Sequence, residues 1–407
     1  MMVARCRLFA ALLASLVIAV PMASACPFCA SAGQTLTQDA SQAAFIVFGK
    51  LSNPQFDPNA SLQGTTDLNI EVVIKPHSFL GDKKVITLNR YIPVNKDDKS
   101  KYLVFCDVFN GKLDAYRGVQ LKAGSKIAEY LKGALEVKDK DPTTRLAYFY
   151  KYLDCEEYDL ANDAFGEFAN ADYKDYRELA KKLSPDQLVK WLKDESTPPS
   201  RFGLYGSMLG HCGKAEHAKV LRELLDDPNK RFGTGLDGLL AGYIMIDPKA
   251  GWQYVRDIFK DSSKDFMLRY AALRSARFMW DYRPDLVTKA DIVAGVAPMM
   301  SQEDIADLAI EDLRKWQRWE MLNKVLALFE EKALDRPIVK RSILRFALNC
   351  PPKEYPKAAE FVAAQRKRDA EWVKDVEELL LLELDTKPKA APTNSGAASK
   401  QNIKNQK

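Results

Sequence analysis

The chain has few cysteines and histidines for its length, seven and three in 407 residues. Six of the cysteines lie after residue 25, too few for a fold that depends on a dense disulfide framework. After residue 25, charged residues also interrupt every apolar run well before the roughly 20 residues that a membrane-spanning helix needs. The apolar fraction of 47% is sufficient for hydrophobic cores. The composition therefore predicts a globular protein of two or three domains.

A concentrated basic region is also missing from the body of the chain. The formal net charge is +5, but the first 25 residues hold two arginines, and five lysines without an acid follow residue 385. Removing these seven positive charges leaves −2 for residues 26–385. Proteins that bind nucleic acids need a concentrated basic surface, so we do not expect a nucleic-acid partner.

The N-terminus has the organisation of a secretory signal peptide. Two arginines precede a 13-residue apolar run from Leu8 to Val20, and a small-residue site ending at Ala25 follows. The pattern predicts a signal peptide over residues 1–25, cleaved between Ala25 and Cys26. The protein is then secreted, or periplasmic in the cell envelope, without a transmembrane span after cleavage. A rival interpretation is a lipid anchor on Cys26, because the residues before it partly fit a lipoprotein site.

Residues 26–136 are predicted to form a small β-domain. Four strand-like runs cover residues 45–50, 67–75, 84–89 and 101–106. Turn-rich segments separate these runs, and Asn110-Gly111 is a typical signal of a two-residue hairpin. Short strands at this spacing favour a small barrel or sandwich.

The same region resembles the netrin-like module, an OB-type β-barrel that also occurs in tissue inhibitors of metalloproteinases. The resemblance covers about residues 26–110 and rests on the early cysteine, Val-Phe-Gly-Lys-Leu at 47–51 and Tyr-Leu-Val-Phe at 102–105. It implies a structural disulfide from Cys26 or Cys29 to Cys106. In the inhibitors, the first cysteine chelates a protease zinc, which gives one alternative function, inhibition of an extracellular hydrolase. The spacing Cys-Pro-Phe-Cys departs from the inhibitors' Cys-x-Cys.

The Cys26-Pro-Phe-Cys29 motif has further interpretations on its own residues. A disulfide with a structural role is favoured, while a bound metal or cofactor stays open. A thiol oxidoreductase motif follows a strand within a βαβ unit, and no strand precedes this one. Covalent haem attachment needs a histidine where Ala30 stands. We predict neither a cofactor nor a catalytic residue.

Residues 143–385 show helical periodicity and recurring blocks. Gly203-Leu-Tyr-Gly206 is echoed by Gly235-Leu-Asp-Gly238 at an offset of 32, and a second theme begins at Asp265 and Asp335. Recurrence at 32 to 37 residues is typical of stacked helix pairs, none of which buries its apolar face alone. Glycines at helical spacing lower helix propensity, so we interpret them as positions of close helix packing.

These blocks resemble HEAT or armadillo-type repeats, which form α-solenoids with binding or scaffolding surfaces. The whole pattern also resembles a group of secreted bacterial proteins with Cys-Pro-Phe-Cys starts and no assigned activity. The predicted fold is therefore α+β, with a small N-terminal OB-like β-barrel at 26–136 and a C-terminal α-solenoid of HEAT-like helix pairs at 143–385. Residues 386–407 are rich in lysine and poor in apolar residues, which predicts a disordered tail.

The leading function from the sequence is an exported, non-enzymatic binding or scaffold protein with a protein or envelope-component partner. A second alternative is an envelope enzyme whose site lies at the domain junction. His211, Cys212 and His217 are the only local cluster of metal-type ligands, but a spacing of six places the two histidines on different helix faces. We therefore predict no metal site there.

An acidic stripe at helical spacing, Asp304, Asp307 and Glu311, is the remaining candidate for acid–base chemistry. Ion pairs on a solvated helix face explain such a stripe more commonly than catalysis does.

Overall fold

The computed structural model combines an N-terminal antiparallel sheet with a large helical part. It describes residues 26–29, 33–95, 97–228 and 234–386, and within them one five-stranded sheet and 17 α-helices. The predicted signal peptide, with Ala25, and residues 387–407 of the predicted tail lie outside the described residues. The predicted α+β class is confirmed.

The sheet is open and antiparallel. Its strands are β1 (Phe45–Phe56), β2 (Gly64–Lys75), β3 (Val85–Leu88), β4 (Lys101–Phe109) and β5 (Lys112–Leu121). They lie in the order β3-β2-β1-β4-β5, and no pairing joins β3 to β5 within the described chain. The structure thus contains an open sheet where the sequence predicted a closed barrel.

The fifth strand is an addition to the four predicted runs. Asn110 and Gly111 connect β4 to β5 with φ angles of 51° and 74°. Phe109 then pairs with Lys112, so the loop has two residues in the left-handed conformation that hairpins of this length use. The hairpin signal at Asn110-Gly111 was correct, and it implied a strand after it, β5, that is not among the four predicted runs.

The two faces of the sheet pack in different cores, because successive side chains of a strand point to opposite faces. Ile46, Phe48 and Phe105 belong to the main core, which continues through the helices. Phe45 and Cys106 belong to a smaller core on the other face. The sheet and the helices therefore share one core across the predicted boundary between residues 136 and 143.

The helices account for most of the chain. They are α1 (Leu36–Gln42), α2 (Ile127–Val137), α3 (Pro142–Tyr150), α4 (Tyr158–Ala169), α5 (Tyr173–Ala180), α6 (Pro185–Lys193), α7 (Phe202–Cys212), α8 (Ala215–Asp226), α9 (Leu236–Ile246), α10 (Pro248–Lys260), α11 (Phe266–Tyr282), α12 (Lys289–Val296), α13 (Ala306–Lys315), α14 (Leu322–Ala327), α15 (Pro337–Asn349), α16 (Pro356–Arg368) and α17 (Ala370–Thr386). We refer to α3–α17 as the helical body. The Ser184 hydroxyl caps α6 by accepting a hydrogen bond from the Gln187 amide, with Pro185 at the first helical position. None of the described helices combines the length and hydropathy of a membrane-spanning segment.

Alternate helices of the body pack side by side. Helix α9 contacts α7 and α11, and α15 contacts α13 and α17, while α8 and α10 also pack on α9. Helices α7 and α9 run in the same direction, because Gly206 lies beside Gly238 and Gly210 beside Gly242. A Cβ atom on Gly238 would overlap the carbonyl oxygen of Gly203. The prediction that these glycines allow close helix packing is confirmed.

Candidate functional site

The cysteine motif forms a local disulfide. Cys26 and Cys29 are bonded to each other, with their Cα atoms 5.4 Å apart. Cys106 is a free, buried thiol whose pKa is raised to about 12 by burial. The bridge to Cys106 that the netrin-like resemblance implied is not formed, because Cys106 faces the smaller core and the motif belongs to the main core.

The disulfide loop, which we define as residues 26–29, is inserted into the helical body. The Cys26 amide donates a hydrogen bond to the Ala169 carbonyl of α4 (3.1 Å), and Arg274 of α11 donates to the Pro27 carbonyl (3.0 Å). The Phe28 side chain is buried, with its ring 4.6 Å from the ring of Phe278. The loop therefore joins helices that are more than 100 residues apart in the sequence.

Aromatic contacts lead from the disulfide loop to His211. The Phe278 ring lies 5.0 Å from Tyr173, whose hydroxyl forms a 3.0 Å hydrogen bond with Nε2 of His211. Burial, with the positive charges of Arg283 and Arg177, lowers the pKa of His211 to about 4. The imidazole is therefore neutral at pH 7, in a positive local potential.

A cleft of about 600 Å³ lies beside His211, and we call it the basic cleft. Its wall carries four cations from three parts of the chain. They are Arg177 of α5 with Lys181 directly after it, Lys214 between α7 and α8, and Arg283 directly after α11. Met245 and Ile246 of α9 supply an apolar part of the wall.

Two carboxylates balance part of this charge. Glu178 accepts from Arg177 (3.2 Å) and Lys181 (2.8 Å), and Asp285 accepts from Arg283 (2.9 Å). The Lys214 ammonium forms no ion pair with any described residue. Four cations against two carboxylates leave two positive charges uncompensated in the cleft, although residues 26–385 together carry a net charge of −2.

His211, Cys212 and His217, the candidate ligand cluster for which no metal site was predicted, have separate partners. His211 contacts Tyr173, as described above, and the Cys212 thiol donates to the Met208 carbonyl (3.5 Å). Burial raises the pKa of Cys212 to about 11, which keeps it a neutral thiol and a weak nucleophile. Nδ1 of His217 accepts from the Lys214 amide (2.8 Å). The structure thus brings only His211 to the cleft.

Two members of the acidic stripe, Asp304 and Glu311, form ion pairs. Asp304 pairs with Arg269 of α11 (2.6 Å), and Glu311 pairs with Arg314 (2.7 Å) and with Arg345 of α15 (2.8 Å). These carboxylates connect α11, α13 and α15. The predicted ion pair within the segment is present between Glu311 and Arg314, and the pairs with Arg269 and Arg345 run to neighbouring helices where the sequence predicted a solvated face.

Two buried carboxylates of α4 lie at the junction with the N-terminal region, beside a cavity of about 350 Å³. Asp163 accepts hydrogen bonds from the hydroxyls of Thr37 (2.7 Å) and Tyr130 (2.8 Å), and Glu167 accepts from Thr35 (2.5 Å). Burial raises the pKa of both carboxyls. Sequence analysis missed this pair, whose only signal was two acids four residues apart in an aromatic-rich segment.

Comparison of the chain with protein-family models, curated proteins and solved structures finds no significant match.

Proposed function

We propose that the protein is an exported, non-enzymatic binding or scaffold protein that contacts a protein or another envelope component through the helical body. The observation that carries this proposal is the basic cleft, where cations from three parts of the chain line one cavity. The buried carboxylates described above are already engaged by donors of the same chain. The cleft therefore fits recognition better than the junction fits catalysis.

The packing of the helical body supports a HEAT-like solenoid as the scaffold. Helices α7, α9 and α11 lie side by side, and α13, α15 and α17 repeat the arrangement. The sheet supports an OB-like interpretation in a similar way, since its edges β3 and β5 flank one cleft of about 260 Å³. Both architectural assignments are part of the proposal.

The disulfide loop supports export and argues against a lipid anchor. A Cys26–Cys29 disulfide persists in an oxidising compartment, which agrees with a signal peptide over residues 1–25. A lipid thioether would require the same sulfur of Cys26 that the disulfide uses.

Burial of the same residue disfavours the inhibitor alternative. Chelation of a protease zinc needs the amine and carbonyl of Cys26 at the surface. Cys26 is only 4% exposed, and its backbone nitrogen donates to Ala169.

The enzyme alternative keeps one supporting observation, the junction cavity with Asp163 in its wall. Both oxygens of Asp163 accept hydrogen bonds from residues of α1 or α2, so this carboxyl has a sufficient role in docking α1. We therefore rank binding above catalysis.

Site-specific photocrosslinking in the exporting host tests the proposal. We expect a photoreactive residue in place of Lys214 to give a defined adduct, and the same residue in place of Lys219 to give none. Lys219 is a matched control, because it is an exposed lysine on α8 outside the cleft wall. Equal labelling at the two positions, or no adduct at Lys214, would contradict binding at the cleft.

A further inference from the structure

The chemistry of the basic cleft limits what it recognises. Helix α7 ends and α8 begins at the cleft, so the partial charges of the two helix ends oppose each other. The side-chain cations therefore determine the local field. Arg283, Arg177 and Lys181 all lower the pKa of His211, after burial, which agrees with a positive potential inside the cleft.

The donors are not exhausted by the neighbouring carboxylates. Arg177 uses Nε for Glu178, and within the described residues its two terminal nitrogens have no acceptor. Lys214, at the start of α8, adds an ammonium that has no ion pair among the described residues. A guanidinium fork with nearby ammonium groups is the arrangement that recognises tetrahedral and planar oxyanions.

We propose that the basic cleft binds the phosphate group of a phosphate monoester. This proposal rests on the proposed function and names the chemical group recognised at that site. A phosphate monoester is close to a dianion at neutral pH, which matches the two uncompensated positive charges. A single carboxylate carries one negative charge, which would compensate only one of the two cations.

The cleft is larger than a phosphate group alone would fill. A volume of about 600 Å³ is typical of sites for small organic ligands. Met245 and Ile246 provide apolar contact for a carbon portion next to the phosphate. A soluble phosphate ester and the head of a phosphomonoester lipid share this chemistry, so the experiment must separate the two sources.

Calorimetric titration of the mature chain with glycerol 3-phosphate at low salt tests the proposal. Lys181→Gln with Lys214→Gln removes two cations of the cleft. The control, Lys174→Gln with Lys219→Gln, removes two exposed lysines of α5 and α8 that lie outside the cleft wall. We expect saturable binding that weakens about tenfold or more in the first variant and less than about twofold in the second.

Absence of saturable binding, or an equal loss in both double variants, would overturn the proposal. Thermal unfolding of each variant checks that the fold is intact. Should the Lys181 substitution unfold the chain by freeing Glu178, Lys214→Gln alone serves as the variant, because Lys214 forms no ion pair within the described residues.

Co-sedimentation with vesicles separates the two sources of phosphate. The site is assigned to a lipid head group if the protein binds phosphatidic acid vesicles but not phosphatidylcholine vesicles. Glycerol 3-phosphate should then compete with the vesicles, and Lys214→Gln should lose the binding. Binding of the soluble ester without vesicle binding assigns it to a soluble ligand, and either result supports the proposal. If neither binds while the Lys214 photoadduct persists, the phosphate proposal is wrong and the proposed function stands.

Discussion

The helical body is held together by different contacts in its first and second halves. Between α7 and α9 the contact is backbone on backbone, since Gly238 leaves no room for a side chain against Gly203. Between α13, α15 and α17, ion pairs add to the packing of buried apolar side chains. Arg314 and Arg345 both pair with Glu383 of α17, and Arg314 also donates to Asn349.

This difference indicates where the molecule has charge available for a ligand. In the second half, the arginines are surrounded by carboxylates from neighbouring helices, so their charge serves packing. In the first half, glycine contacts bring α7 and α9 together without charge, and one ion pair, Arg274 with Asp237, joins α11 to α9. The cations of the basic cleft are only partly compensated, which agrees with the binding proposed for this half.

Replacement of Gly238 by alanine should give the largest loss of stability. The new methyl group would overlap the carbonyl oxygen, the carbonyl carbon and the Cα atom of Gly203. Because all three are backbone atoms, one helix has to move. We expect the free energy of unfolding to fall by about 3 kcal/mol or more, at the upper end of typical overpacking costs. Gly118→Ala in β5 is the matched control, since no atom lies within 4 Å of its added methyl group. Urea unfolding of both variants makes the measurement, and a similar effect of the two would contradict close packing as the reason.

Replacement of Arg314 by methionine should have an intermediate effect. It removes a buried guanidinium from Glu311 and Glu383 and leaves two partly buried carboxylates with one cation fewer. We expect the free energy of unfolding to fall by about 2 kcal/mol. This is less than the cost of breaking a fully buried pair, because both carboxylates remain partly exposed to solvent.

The matched control is Arg366→Met, which breaks an exposed pair with Glu377 and should cost less than about 1 kcal/mol. Urea unfolding at low and high salt compares the two. If the two variants lose equal stability, the second half does not depend on its interhelical ion pairs.

The glycine contacts could be predicted from the sequence, but the cleft and the disulfide could not. Three glycines at helical spacing are unfavourable for helix propensity, and close packing is the common reason for them. The cations of the cleft lie between residues 177 and 283 and follow no local pattern. Only the packing of α5 on α7, and of α7, α8 and α11 on α9, brings them together.

The disulfide shows a related limit. Whether Cys26 or Cys29 can reach Cys106 depends on which face of the sheet Cys106 occupies. A shift of one residue in the pairing of β4 would move that side chain to the other face. The register is set by tertiary packing, which the spacing of cysteines does not reveal.

The smallest effect concerns pH, and it should have opposite signs in the two parts of the molecule. Burial raises the pKa of Asp163, so its folded form keeps a proton that the unfolded chain loses near the ordinary value of 3.8. Its contribution to stability is complete below that value and is lost as the pH rises through the folded pKa. The hydrogen bond from Arg269 lowers the pKa of Asp304, whose contribution is present above 3.8 and is lost as the pH falls.

Urea unfolding of Asp163→Asn, Asp304→Asn and the parent chain over a range of pH separates the two opposite pH dependences. We expect the stability advantage of the parent over Asp163→Asn to shrink as the pH rises above the ordinary value of 3.8. Its advantage over Asp304→Asn should shrink below about pH 4, by less than about 1 kcal/mol, because that pair is partly exposed. Parallel curves for the two variants would show that the carboxyls of Asp163 and Asp304 lie in equivalent environments. Because the hydroxyls of Thr37 and Tyr130 donate to Asp163 and the guanidinium of Arg269 faces Asp304, we expect the curves to diverge.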